Sequence, residues 1–217
     1  MAIITAIEPQ AKNSRRVNVY LDGRFAFGLE RIIAAWLKVG QELTPEEQAV
    51  LQAKDRQEQA RQHALRFLSY RPRSVKEVRS YLTKRGYEEA LIEAVLEQLQ
   101  DAHLLNDVVF AQTWVENRNT FRPRSKALLR QELLRKGIAE EAVQSVLDGQ
   151  EETKLALQAA QKAVRRYAAL EWPQFRQRLG AYLLRRGFSY STIGPVLVQV
   201  WKQIHQTGKD PGLDDED

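Results

Sequence analysis

Arg71-Pro72-Arg73-Ser74, followed by Lys84-Arg85-Gly86, decides how this chain is built, because both segments return. The first reappears unchanged as Arg122-Pro123-Arg124-Ser125, 51 positions on, and the second as Arg135-Lys136-Gly137. At the same offset Val78 matches Leu129, Arg79 matches Arg130 and Leu82 matches Leu133. A third copy follows 50 positions later in Pro173, Leu179, Leu183 and Arg185-Arg186-Gly187. The stretch after each glycine agrees too: Ile92, Val95 and Leu96, then Val143, Val146 and Leu147, then Ile193, Val196 and Leu197. Apolar residues at these spacings form one helical face, and a repeat of this length is the mark of a tandem helical array.

Each copy reads as three short helices. The first carries Leu65 and Leu68 in one copy and Phe110, Trp114 and Val115 in the next. The second starts at the Pro-containing turn and ends at the glycine. The third ends near Leu99, Leu147 or Trp201. One such unit buries little alone, so stacked neighbours must supply a continuous core. In the third copy Phe175 stands where Ser125 would cap, which obscures that helix start.

Working outward, the first thirty residues have another texture. Val17, Val19 and Leu21 alternate with polar neighbours and run into Asp22-Gly23, with Phe25 and Phe27 beyond. Alternation entering Asp-Gly predicts a hairpin, since both turn residues accept positive φ. A sheet of two or three strands is expected. Ile32, Ile33, Trp36 and Leu37 then suggest a helix closing at Gly40. Thr44-Pro45-Glu46-Glu47 is a capping box with Pro in the first turn, opening a helix towards Tyr70. Its polar middle, Lys54 to Gln62, suggests a boundary.

The expected architecture is mainly α: three tandem three-helix repeats in an elongated curved array, with a small N-terminal β-hairpin region. The divisions are 1–62, a hairpin plus helices; 63–108, 109–152 and 153–207, the repeats; and 208–217, an acidic disordered tail. That tail could fold back on basic residues, or simply add solubility, which is the simpler expectation.

The 217 residues contain 33 Lys+Arg, 28 Asp+Glu and no cysteine. Disulfides, thiolate metal sites and a cysteine nucleophile are excluded. The longest apolar run, Ile32–Leu37, is too short to span a bilayer, and no export signal is visible, so a cytoplasmic protein is expected. The +5 balance is uneven. Repeats one and two are neutral, whereas 153–209 holds 10 basic residues against Glu171 alone, +9 before the acidic tail.

Catalysis finds no support. The three histidines, His63, His103 and His205, lack ligand spacing, and no phosphate-loop, nucleophile-elbow or zinc-protease motif occurs. No enzyme, cofactor or metal is expected. The dibasic pairs before Gly86, Gly137 and Gly187 suit helix C-termini. Arg73 and Arg124 bracket helix starts, where the dipole gives cations no benefit, so they are better candidates for an anionic partner. The candidate surface comprises Arg73, Arg79, Arg124, Lys126 and Arg130, with Lys162, Arg165, Arg166, Arg176 and Arg178 thickening the third repeat. Tyr167, Tyr182 and Phe188 lie among these at helical spacing and are expected in the core.

Asp107-x-x-Phe110-Ala111, Trp114-Val115-Glu116-x-Arg118 and Leu128-x-x-Gln131-Glu132-Leu133-x-x-Lys136-Gly137-Ile138, in that order, resemble the central signature of the RecX family, bacterial regulators of the recombinase RecA. The resemblance covers about residues 60 to 204. It implies a non-catalytic protein that lies in the groove of the RecA–DNA filament. Recombinase, ATPase and coprotease activities would be limited, within homologous recombination, DNA repair and the SOS response. The N-terminal region of about 60 residues is longer than in short members, and the Pro123 turn lacks a glycine often found there. The competing reading is a basic helical DNA-binding module without a recombinase partner. A monomer is favoured.

Overall fold

The computed structural model describes residues 1–206, so the acidic segment 208–217 lies outside the described residues. Two compact bodies are present, one over 1–105 and the other from Asn106 onward.

The first body opens with β1 (Ala2–Gln10), β2 (Asn13–Leu21) and β3 (Arg24–Glu30), then α1 (Arg31–Ala34), β4 (Glu42–Leu43) and α2 (Pro45–Leu68). The sheet is antiparallel in the order β3-β2-β1-β4, with Val17 opposite Leu29 and Val19 opposite Phe27. Asp22 (φ 49°) and Gly23 (φ 78°) both take the positive φ that a tight hairpin needs. There are four strands rather than two or three. The fourth forms because Gly40, at φ 89°, turns the chain so that its N–H donates to Ile4 O at 2.8 Å, and Leu43 then pairs with Ala2. The helix expected from Ile32 to Leu37 shrinks to one turn. Ile33 and Leu37 pack against the sheet core, whereas Ile32 and Trp36 are 63% and 87% exposed.

The α2 helix starts at the expected Thr44–Glu47 capping box. It runs unbroken through Lys54–Gln62, which a polar composition had suggested as a boundary. The reason is Asp55. It is buried, accepts from Arg16 Nη2 at 2.9 Å, Gln59 Nε2 at 2.6 Å and the Glu30 N–H at 2.6 Å, and so ties the helix to β2 and β3. Arg16 is completed by Glu30 at 3.0 Å and Gly28 O at 3.0 Å. A buried charge survives only when so satisfied.

Unit one joins the end of α2 to α3 (Val75–Thr83) and α4 (Glu89–Asp101). Ala60 and Ala64, not Leu65 and Leu68, are the fully buried residues of α2, packed with Val78, Leu82, Ile92 and Leu96. Unit two comprises α5 (Asp107–Phe121), α6 (Lys126–Arg135) and α7 (Glu140–Asp148), with Phe110, Leu129, Leu133 and Val143 at its core. Unit three comprises α8 (Glu152–Ala163), a 3-10 turn at Val164–Arg166, α9 (Trp172–Arg185) and α10 (Tyr190–Gln206). The α9 helix begins at Trp172, ahead of the position matching the Ser125 cap, and Phe175 is wholly buried. The protein is thus mainly helical, with three three-helix units and a curled four-stranded sheet.

The three repeated glycines have one job. Gly86, Gly137 and Gly187 take φ of 80°, 85° and 86° and close the middle helix of each unit. In every case the next residue's N–H returns to the carbonyl five positions back: Tyr87 to Leu82, Ile138 to Leu133, Phe188 to Leu183. This closure satisfies carbonyls that the helix end would otherwise leave bare.

Candidate partner-binding surface

The repeat positions place equivalent cations at equivalent places. Arg79 on α3 clasps Glu89 and Glu93 on α4, the Glu93 Oε2 contact being 2.9 Å. Arg130 on α6 makes a two-pronged pair with Glu140 on α7, at 2.7 and 2.8 Å. These two candidates bridge the second and third helices of their own units.

Arg73 and Arg124 also have internal roles, which the dipole argument could not show. Arg73 lies over the Phe67 ring at 3.8 Å; Phe67 stacks on Tyr81 at 4.1 Å, and Arg85 covers Tyr81 at 4.8 Å. Burial, and then the Arg71 charge, hold the Arg73 guanidinium below its ordinary pKa, against the pull of Glu77. Arg124 pairs with Glu132. That carboxylate also accepts from Arg118 Nε at 2.8 Å and Trp114 Nε1 at 2.9 Å, and is itself 9% exposed. The network was missed, although Trp114 and Arg118 stand one helical turn apart and so share a face.

Position 85 and its repeats carry a further shared contact. Arg85 lies on Tyr81, Lys136 on Trp114 at 5.0 Å and Arg186 on Tyr182 at 4.9 Å. The second member of each dibasic pair is therefore partly held by an aromatic face. Phe188 is buried, while Tyr167 and Tyr182 are half-buried against the unit-three core.

The remaining candidates differ. Lys162 donates to Thr120 O. Arg165 and Arg166, in the 3-10 turn, and Arg176 and Arg178, on α9, are exposed and form no ion pair among the described residues. Lys126 is half-buried and likewise makes none. Arg185 shares this state, and its place in a dibasic pair had hidden it. A separate cleft of about 850 Å³ in the first body is lined by Arg15, Arg66, Gln62 and His63. His63 is held below its ordinary 6.5 by burial and then by Arg85 and Arg66. Among the described residues no cluster of acidic or histidine side chains could hold a metal, and no helix is long and apolar enough to cross a membrane.

Four family models match in chain order. They are the RecX N-terminal domain over 2–44 and the first, second and third RecX three-helix domains over 60–99, 106–147 and 150–197. The chain belongs to the RecX family. The regulatory protein RecX of Bacillus pumilus is 32% identical over 206 residues, spanning 93% of this chain and 78% of that protein. That of Bacillus subtilis is 31% identical over 205 residues, at 92% and 78%. A crystal structure described as regulatory protein RecX superposes with a TM-score of 0.70 at 28% identity, covering 94% of this chain and all of that one. RecX of Lactobacillus salivarius shares the fold at TM-score 0.58 and 24% identity, covering 69% of this chain and 99% of that one. The family is regulatory and non-catalytic.

Proposed function

We propose that this RecX-family protein acts in the cytoplasm by binding the RecA–DNA nucleoprotein filament and restraining it, lowering recombinase, ATPase and coprotease activity without chemistry of its own. The observation that carries the reading is the contrast among the candidate cations. Arg79, Arg124 and Arg130 are engaged within their own units, whereas Arg165, Arg166, Arg176 and Arg178 are exposed and unpaired among the described residues. Exposed charge that offsets no neighbour attracts a polyanionic assembly from a distance, and salt weakens that attraction. The attraction is therefore assigned mainly to unit three, and less to Arg124 and Arg130, than sequence alone suggested.

The test is DNA-dependent ATP hydrolysis by the cognate recombinase under rising amounts of this protein. Inhibition is expected. Inhibition well below one molecule per recombinase subunit assigns end-capping, and a near-stoichiometric requirement assigns groove occupation. Tight binding to bare DNA with a steep salt slope, and no effect on the recombinase, would replace this reading with a simple DNA-binding module.

A further inference from the structure

Unit three departs from its siblings at one place. Where unit one has Arg79, Glu89 and Glu93, and unit two has Arg130, Glu140 and Gln144, unit three has Gly180, Tyr190 and Gly194. The clasp between second and third helices is gone, and a groove of about 660 Å³ lies between α9 and α10. Ala181, Leu184, Ile193 and Leu197 line it, with Arg176 and Tyr190 among its polar-tipped members. No acidic residue lines it. Tyr190 is 78% exposed and Leu184 36%.

The glycines are not there for want of room. A Cβ on Gly194 would meet nothing within 4 Å, and one on Gly180 would touch Leu197 at 3.6 Å and Ile193 at 4.0 Å, ordinary contacts. Neither has the positive φ that would demand glycine. They leave unfilled a space that side chains fill in the other two units.

We propose that this groove is the docking site of the chain's own segment 207–217, with Leu213 seated over Gly180 and Gly194 and the neighbouring carboxylates set against Arg176. The chemistry matches on both counts. The segment holds one large apolar side chain, Leu213, flanked by Asp210 and by Asp214, Asp215, Glu216 and Asp217. The groove is apolar, and the exposed Arg176 of α9 is the one cation among its lining residues. Reach is adequate. From Gln206 back to Gly194 is about 18 Å along a helix, at roughly 1.5 Å per residue, and residues 207–213 extended span about 23 Å. Tethering gives the segment a high effective concentration, which a free peptide or a second copy of like chemistry lacks. The inference does not rest on the filament reading.

Because the chain has no cysteine, Gly212→Cys in the full chain carries a single nitroxide with no competing thiol. The expected result is stronger paramagnetic broadening of the Gly180, Gly194 and Leu197 amide signals than of Lys154 and Lys162 on α8, reduced by salt. Leu213→Ser should abolish that preference, as should Gly194→Glu, which restores the unit-one residue into open space without changing the helical content. Uniform broadening, or a preference that survives Leu213→Ser, would overturn the proposal. So would broadening that appears only when labelled chains are mixed with separate spin-labelled ones, which would assign the groove to a second copy. No recombinase enters the measurement, so its failure leaves the filament reading untouched.

Discussion

In unit two, Arg118, Arg124 and Arg130 all end on carboxylates of their own unit, whereas Arg165, Arg166, Arg176 and Arg178 of unit three end on none among the described residues. The two units share a fold, a glycine closure and an apolar helix face. They differ in what their cations do. Residues 109–152 hold seven basic and seven acidic side chains, and three of those cations are paired in space with Glu132 and Glu140. Within 153–209 ten cations have a single acidic residue of the same stretch, Glu171, to pair with. Charge neutrality along a segment here means internal bracing; charge excess means an outward-facing surface.

The largest effect should come from breaking the bracing. Glu132→Ala strips one acceptor from Arg118, Arg124 and Trp114 together, and should lower the unfolding free energy by about 3 kcal/mol, read from the urea midpoint. Tyr182→Ala, at the matching place in unit three, should cost less, because it removes an aromatic face rather than the buried partner of two half-buried charges. Equal losses would erase the distinction.

Next, changing Arg165, Arg166, Arg176 and Arg178 together to Glu should weaken filament binding by about tenfold or more at low salt, with the urea midpoint little changed. Reversing Arg124 and Arg130 should instead reduce stability, because Arg124→Glu faces Glu132. If that pair lost filament binding and kept full stability, the roles of the two units would have to be exchanged.

Arg130→Ala should have a small effect, about 0.5 kcal/mol, since both partners of its pair are nearly half exposed. A loss several times larger would mean that the clasp between α6 and α7 is structural, and would sharpen the significance of its absence in unit three.

The smallest effect is a pH dependence in unit one. His63, bonded to Tyr87 Oη at 2.8 Å, is held below its ordinary 6.5 by burial, Arg85 and Arg66. The folded protein therefore favours the neutral ring, while the unfolded chain takes up a proton more readily as pH falls through 6.5. Stability from this group is present above that pH and lost as pH drops towards the folded value. Thermal melts of His63→Gln should show a shallower decline over that window than the parent chain.

The repeats were legible because glycine at a helix C-terminus has one strong physical reason, and three copies at a fixed period cannot be mistaken for chance turns. Asp22-Gly23 and Thr44-Glu47 were legible for the same kind of reason, each being local backbone chemistry. The fourth strand was not. A two-residue pairing of Leu43 with Ala2 has no periodicity to display, and it depends on contacts some forty residues apart. Trp36 misled because an apolar spacing shows which residues share a face, not whether anything covers it. Asp55 misled in the opposite sense: a charged residue in a polar stretch reads as solvent-facing until Arg16 and Glu30 arrive from the sheet. For the candidate surface, the sequence identified the cations by type, but whether each would find a carboxylate depended on pairs such as Arg124–Glu132 and Arg130–Glu140, eight and ten positions apart.

The α2 helix has a mechanical consequence. Its 24 residues make a rod of about 36 Å, gripped near its middle by the sheet through Asp55 and built at its far end into the core of unit one through Ala60 and Ala64. Sheet and first unit therefore share a single beam. A torque applied to the sheet is delivered to unit one with no hinge to dissipate it, which makes the N-terminal region a lever arm rather than an appendage.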